Sequence, residues 1–100
     1  NRSVAGNPEY PQARLDAGLL LINQGEFDAA IKILDLALPL TDKKELKVLR
    51  ANVYYGLGAA FANKKNFGEA LMNLDEALKL VPNYGDATKL KNGILNLGKK

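Results

Sequence analysis

The sequence predicts an all-α fold of antiparallel helix hairpins, about five helices in all, on three observations. Apolar residues recur at spacings of three and four rather than two. No stretch alternates as a strand would. The chain also repeats itself: shifted by 40 residues, Gly18 to Leu40 falls on Gly58 to Leu80 with nine identities in 23 positions. The pairs include Gly18/Gly58, Asn23/Asn63, Phe27/Phe67, Ala30/Ala70, Leu34/Leu74, Asp35/Asp75 and Ala37/Ala77. Generic amphipathicity does not require the small residues among them, so the segment reads as a tandem duplication.

Residues 1–10 lack periodicity and contain Gly6 and Pro8, and they read as a disordered arm or linker. Pro11 suits the first turn of the first helix, which runs through Leu15, Leu19 and Ile22. Asn23-Gln24-Gly25-Glu26 interrupts it, with Gly25 placed for a left-handed cap. A second helix follows through Phe27, Ala30, Ile31, Leu34 and Ala37, until Pro39 ends or bends it. Asp42 and Glu45 have capping-box spacing, which predicts a long third helix from about Lys43 to Asn63. Asn66 is placed to cap a fourth helix, Phe67 to Leu80, and Val81-Pro82-Asn83 stops it. Asn83 then caps a last helix from about Tyr84 to Leu97. The units are therefore residues 11–44, residues 45–84 with a lengthened first helix, and residues 85–100 as a closing helix with a basic tail.

A glycine inside a helix costs about 1 kcal/mol relative to alanine. Two at matching repeat positions, Gly18 and Gly58, imply close helix approach beside Ala30, Ala37, Ala70 and Ala77. Phe61, Phe67 and Leu74 are then expected to fill the space between hairpins.

Residues 51–84, with Tyr54, Leu57-Gly58, Phe61, Ala70, Leu74, Ala77 and Pro82, resemble the tetratricopeptide repeat, a helix-turn-helix unit of 34 residues. Residues 11–44 resemble it more loosely, through Gly18, Leu21, Phe27, Ala30, Leu34 and Ala37, while Arg14, Ala17 and Asp42 depart from its pattern. The resemblance implies a short right-handed superhelix of two repeats plus a capping helix. It also implies a protein–protein interaction module that binds a peptide or amphipathic helix on a concave face. Carried over by position, that groove consists of Gln12, Leu15, Leu19 and Ile22, then Asn52, Tyr55, Ala59, Ala62 and Asn63, with Lys89 and Asn96 near the rim. Family members that clamp a C-terminal carboxylate use Lys, Arg and Asn where this chain has Leu15, Leu19, Tyr55 and Ala59, so no carboxylate-clamp ligand is expected. The same apolar stripe also suits self-association, or packing on neighbouring repeats of a longer array.

Composition narrows the other classes. The 100 residues include no His and no Cys, which removes imidazole catalysis, thiol chemistry and disulfides, and neither a metal nor any other cofactor is indicated. Asp35 and Asp75 recur by repeat descent rather than as a facing acid–base pair, and the chain reads as non-enzymatic. Lys43, Lys44, Lys47 and Arg50 share a helix side and are the candidate binding patch for an anionic surface, RNA or lipid. Asp42 and Glu45 dilute it and no aromatic residues interleave it, so nucleic acid and membrane are not the expected partners. Net charge is +3, and residues 86–100 hold the whole excess: four lysines against Asp86, while residues 1–85 balance ten basic with ten acidic side chains.

Overall fold

In the computed structural model, residues 11–97 are described. Among them the apolar periodicity resolves into five α-helices and no strand: α1 (Pro11–Asn23), α2 (Phe27–Ala37), α3 (Lys47–Asn63), α4 (Phe67–Leu80) and α5 (Gly85–Leu97). Two 3-10 turns, Leu38–Thr41 and Lys44–Leu46, separate α2 from α3. The arm expected at residues 1–10 and the tail lysines Lys99 and Lys100 lie outside the described residues.

Both hairpin turns are made the same way. Gly25 adopts φ +82°, the Glu26 N–H donates to the Leu21 carbonyl at 2.8 Å, and the Gly25 N–H donates to the Ile22 carbonyl at 3.0 Å. This is a Schellman closure, which satisfies carbonyls that the helix end would otherwise leave open. Forty residues on, Asn66 donates to Phe61 and Lys65 to Ala62 with the same pattern, but the left-handed position is Lys65, at φ +67°.

Small residues set how closely the helices pair. A Cβ added to Gly18 would stand 2.5 Å from Leu34 Cδ2, and one added to Gly58 would stand 2.8 Å from Leu74 Cδ2. Leu74 therefore sits inside its own hairpin, on Gly58, and not between hairpins as the sequence suggests. Gly56 supplies a third close approach, its absent Cβ lying 3.1 Å from Leu34 Cδ1 and 3.4 Å from Leu19 Cδ2. Leu34, fully buried, thus fills one notch in its own hairpin and another in the helix that follows. Two core clusters result, one around Leu15, Leu34, Val53 and Leu57, the other around Ala51, Leu74, Ala77 and Ile94. Tyr54 and Phe61 pack against both and join them.

The junction departs from the sequence expectation. The third helix does not begin at Lys43, because Lys43 is extended (φ −143°, ψ 145°) as the chain leaves the Leu38–Thr41 turn. Lys44–Leu46 then form a 3-10 turn, and neither start carries a side-chain cap bond, so no Asp42–Glu45 capping box forms. Asn66 occupies the N-cap of α4, yet only its backbone carbonyl serves, accepting from Ala70. Before α5 the corresponding carbonyl is that of Tyr84, which accepts from Thr88, and Asn83 lies one residue too early to cap.

Candidate functional site

The first helices of the two hairpins meet, α1 packing on α3, whereas α5 packs mainly on α4 and touches α3 only lightly. The second helices, α2 and α4, barely meet. By the resemblance drawn from the sequence, the first helices α1, α3 and α5 correspond to the inner layer of the repeat array. The sequence-predicted groove residues lie on these three helices, and the structure sorts them into three groups.

Leu15 is a correction. It is 3% exposed within the first core cluster and offers no surface to a partner, because the hairpin and α3 close over it. Ile22, Asn52, Tyr55, Ala59 and Ala62 are half-buried. Ile22 packs against the first core cluster, and Tyr55 and Ala62 against the second. Gln12, Leu19, Asn63 and Lys89 are exposed, as is Asn96. Gln12 Nε2 donates to Asp16 Oδ1 at 3.0 Å, and Asn63 Nδ2 donates to the Ala59 carbonyl at 2.8 Å, closing the end of α3.

Tyr55 does not frame a pocket with Ala59 and Ala62 alone. Its ring stacks on Tyr84, with centroids 5.4 Å apart and planes tilted by 33°. Burial pushes the Tyr84 hydroxyl up to about 12, helped by the Tyr55 hydroxyl and the Asp86 carboxylate. The Tyr55 hydroxyl is raised by the same burial and by Asp86. Both phenols are thus neutral at any physiological pH, and the pair acts as an apolar platform with hydroxyl edges. Sequence reasoning put Tyr84 at the start of the last helix and missed its role, because its stacking partner, Tyr55, lies on another helix.

The inner layer ends in a cavity of about 370 Å³ where α3, α4 and α5 meet. Ala62, Phe67, Leu90, Gly93, Ile94 and Leu97 line it, with Asn63 and Lys65 as its polar members. Only Ala62 and Asn63 among these are predicted groove residues. The spacing Leu90–Ile94–Leu97 is the available signal for those three.

The candidate anion-binding patch is altered at its centre. Arg50 Nη1 donates to the Leu38 carbonyl at 3.1 Å and to Thr41 Oγ1 at 3.3 Å, and Nη2 donates to the Tyr54 hydroxyl at 3.4 Å. Its guanidinium also lies 5.5 Å from the Tyr54 ring centroid. Arg50 therefore ties the Leu38–Thr41 turn to α3 and is not a free cation. Lys43, Lys44 and Lys47 remain exposed around it, beside Asp42.

On α2, burial raises the Asp35 carboxyl, and the nearby Glu69 carboxylate raises it further. Asp35 on α2 and Glu69 on α4 are like charges on the two second helices. Among the described residues no cluster of three or more metal-ligating side chains exists, and no helix is long and apolar enough to cross a membrane.

Two family models described as Tetratricopeptide repeat match the chain, one over residues 2–53 and one over residues 51–84. No curated protein matches it.

Proposed function

Because this chain belongs to the tetratricopeptide repeat family, whose repeats generally serve protein–protein interaction or assembly, we propose that it is an interaction module receiving a peptide or amphipathic helix along the inner layer of α1, α3 and α5. The observation that carries this reading is the composition of that layer: Leu19 is 38% exposed, and Ile22, Tyr55, Ala59 and Ala62 are each part-exposed on adjoining helices. An apolar helix or extended peptide gains from such a strip by burying its own apolar side chains. The half-buried Tyr55–Tyr84 pair adds a rigid aromatic surface of the type that dominates binding energies. No catalytic step is assigned to it.

The test is selection of peptides from a displayed library against the full chain, followed by binding to Tyr55→Ala and Leu19→Ser variants whose helicity is checked by circular dichroism. Selected peptides should lose at least about tenfold in affinity to one of the two, the effect of removing a contact worth about 1.4 kcal/mol. Peptides that bind both variants as well as the parent would refute the inner-layer reading. Light scattering over a concentration series separates a second outcome. A dimer dispersed by the same two substitutions would mean that copies of the chain cover this surface.

A further inference from the structure

We infer that the cavity at the corner of α3, α4 and α5 is the anchor point of the interaction surface, and that it takes a large apolar side chain of a partner segment carrying carboxylates beside that side chain. This rests on the interaction-module reading and names the chemistry of the partner.

The first argument concerns a glycine. Gly18, Gly56 and Gly58 each face a leucine side chain that a Cβ would crowd, so close packing offsets what they cost the helix. Gly93 stands in the middle of α5, where glycine costs about 1 kcal/mol, yet nothing lies within 4 Å of where its Cβ would be. Within this chain that cost has no return. Gly93 lines the cavity, and its missing side chain is what holds this part of the cavity open.

The second argument is apolar surface. Leu97 is 59% exposed at the cavity's edge, and Leu90 and Phe67 are only half-buried there. About 370 Å³ is at the small end of ligand-pocket volumes, a size for one anchoring side chain rather than a whole small molecule.

The third argument is charge. No carboxylate lines the cavity, whereas Lys65 does. Lys65 makes no ion pair among the described residues, unlike its neighbour Lys64, which pairs with Asp28. Lys89 lies one turn before Gly93 on the same side of α5. Lys91, the other lysine of α5, pairs with Asp75, which leaves Lys65 and Lys89 as the charges that set the sign of this corner. An apolar socket edged by lysines selects an apolar anchor with acidic neighbours, and rejects a basic one.

The experiment titrates the isotopically labelled full chain with 4-phenylbutyrate and, separately, with 4-phenylbutylamine, following backbone amide shifts. The acid should shift the amides of Ala62, Gly93, Ile94 and Leu97 and bind about sixteenfold tighter than the amine. One lysine at about 5 Å in water supplies about fourfold by attracting the acid and about fourfold by repelling the amine. A Lys65→Asn/Lys89→Gln variant should lose the preference while keeping the shifts, and Gly93→Leu should lose the shifts. Equal binding of acid and amine, or shifts confined to other residues, would overturn the inference. So would concentration-dependent self-association abolished by Gly93→Leu, since the occupant would then be a second copy. If library peptides bind through Tyr55 and Leu19 while the cavity stays silent to both probes, this inference falls and the interaction-module reading stands.

Discussion

Replacing Gly58 by alanine sets two known effects against each other in one position. Alanine removes the helix-interior cost of glycine, a gain of about 1 kcal/mol. Its methyl would stand 2.8 Å from both Leu74 Cγ and Cδ2 and 3.3 Å from the Ala70 carbonyl oxygen. Carbon atoms prefer about 3.5–4.0 Å, so Leu74 must retreat by roughly an ångström. Leu74 is fully buried and has nowhere to go, and overpacking of this kind costs about 1–3 kcal/mol. The net expectation is a loss of about 1 kcal/mol, which for a domain of this size lowers Tm by about 4–8 °C. Gly18→Ala should lose more, since all three of its nearest atoms belong to Leu34, at 2.5, 2.6 and 3.2 Å. Thermal unfolding by circular dichroism reads both, with Gly93→Ala as the control that meets no neighbour and should raise Tm. Leu74→Ala costs about 2–5 kcal/mol, but in its background Gly58→Ala should turn stabilising because the clash is gone. If Gly58→Ala raises Tm as much as Gly93→Ala does, the close-approach argument is wrong.

Three further substitutions test other parts of the fold. Lys65→Gly should stabilise by about 1 kcal/mol, since a non-glycine residue held at φ +67° stores strain that glycine does not; an unchanged unfolding midpoint in urea would mean that the turn is unstrained. Arg50→Met keeps the aliphatic packing but removes the donors to Leu38 and Thr41, and should cost about 1–2 kcal/mol in chemical denaturation; a neutral result would return Arg50 to the solvent-facing cations. Asp35→Asn should raise Tm near pH 7 and change little near pH 3. The folded carboxyl is raised above 3.8, so the folded state holds its proton more tightly than the unfolded chain, and stability falls as pH rises through that range. A variant that gains equally at both pH values would show that Asp35 acts through packing instead.

Much of the architecture is legible in local pattern. The hairpins follow from three-and-four spacing, and Gly25 from the need for a left-handed residue at a helix end. The closeness of α1 to α2 and of α3 to α4 follows from recurrent glycines. What escapes the pattern depends on rotations between units. Gly56 has no counterpart at the matching repeat position, where Asp16 stands, so only the contact of α3 with Leu34 reveals its purpose. Leu15 has the same apolar spacing as Leu19, and the slight turn of α1 that buries one and exposes the other is decided by its neighbours. Arg50 reads as part of a lysine cluster until the Leu38 carbonyl appears opposite it. Tyr84 is a linker residue whose partner, Tyr55, lies 29 positions earlier. The cavity that α4 and α5 complete was not legible, because its lining comes from three helices at once.

Leu34 occupies notches cut by Gly18 and by Gly56 at once, so the contact inside the first hairpin and the contact between units share one side chain. Opening the first hairpin withdraws Leu34 from α3, and separating the units uncovers it within its own hairpin. Repeat arrays can fray unit by unit when the coupling between neighbours is weak. Here the amides of α1, α2 and the first turns of α3 should exchange with solvent as one cooperative block at a common free energy. The unit of melting is then larger than the unit of repetition.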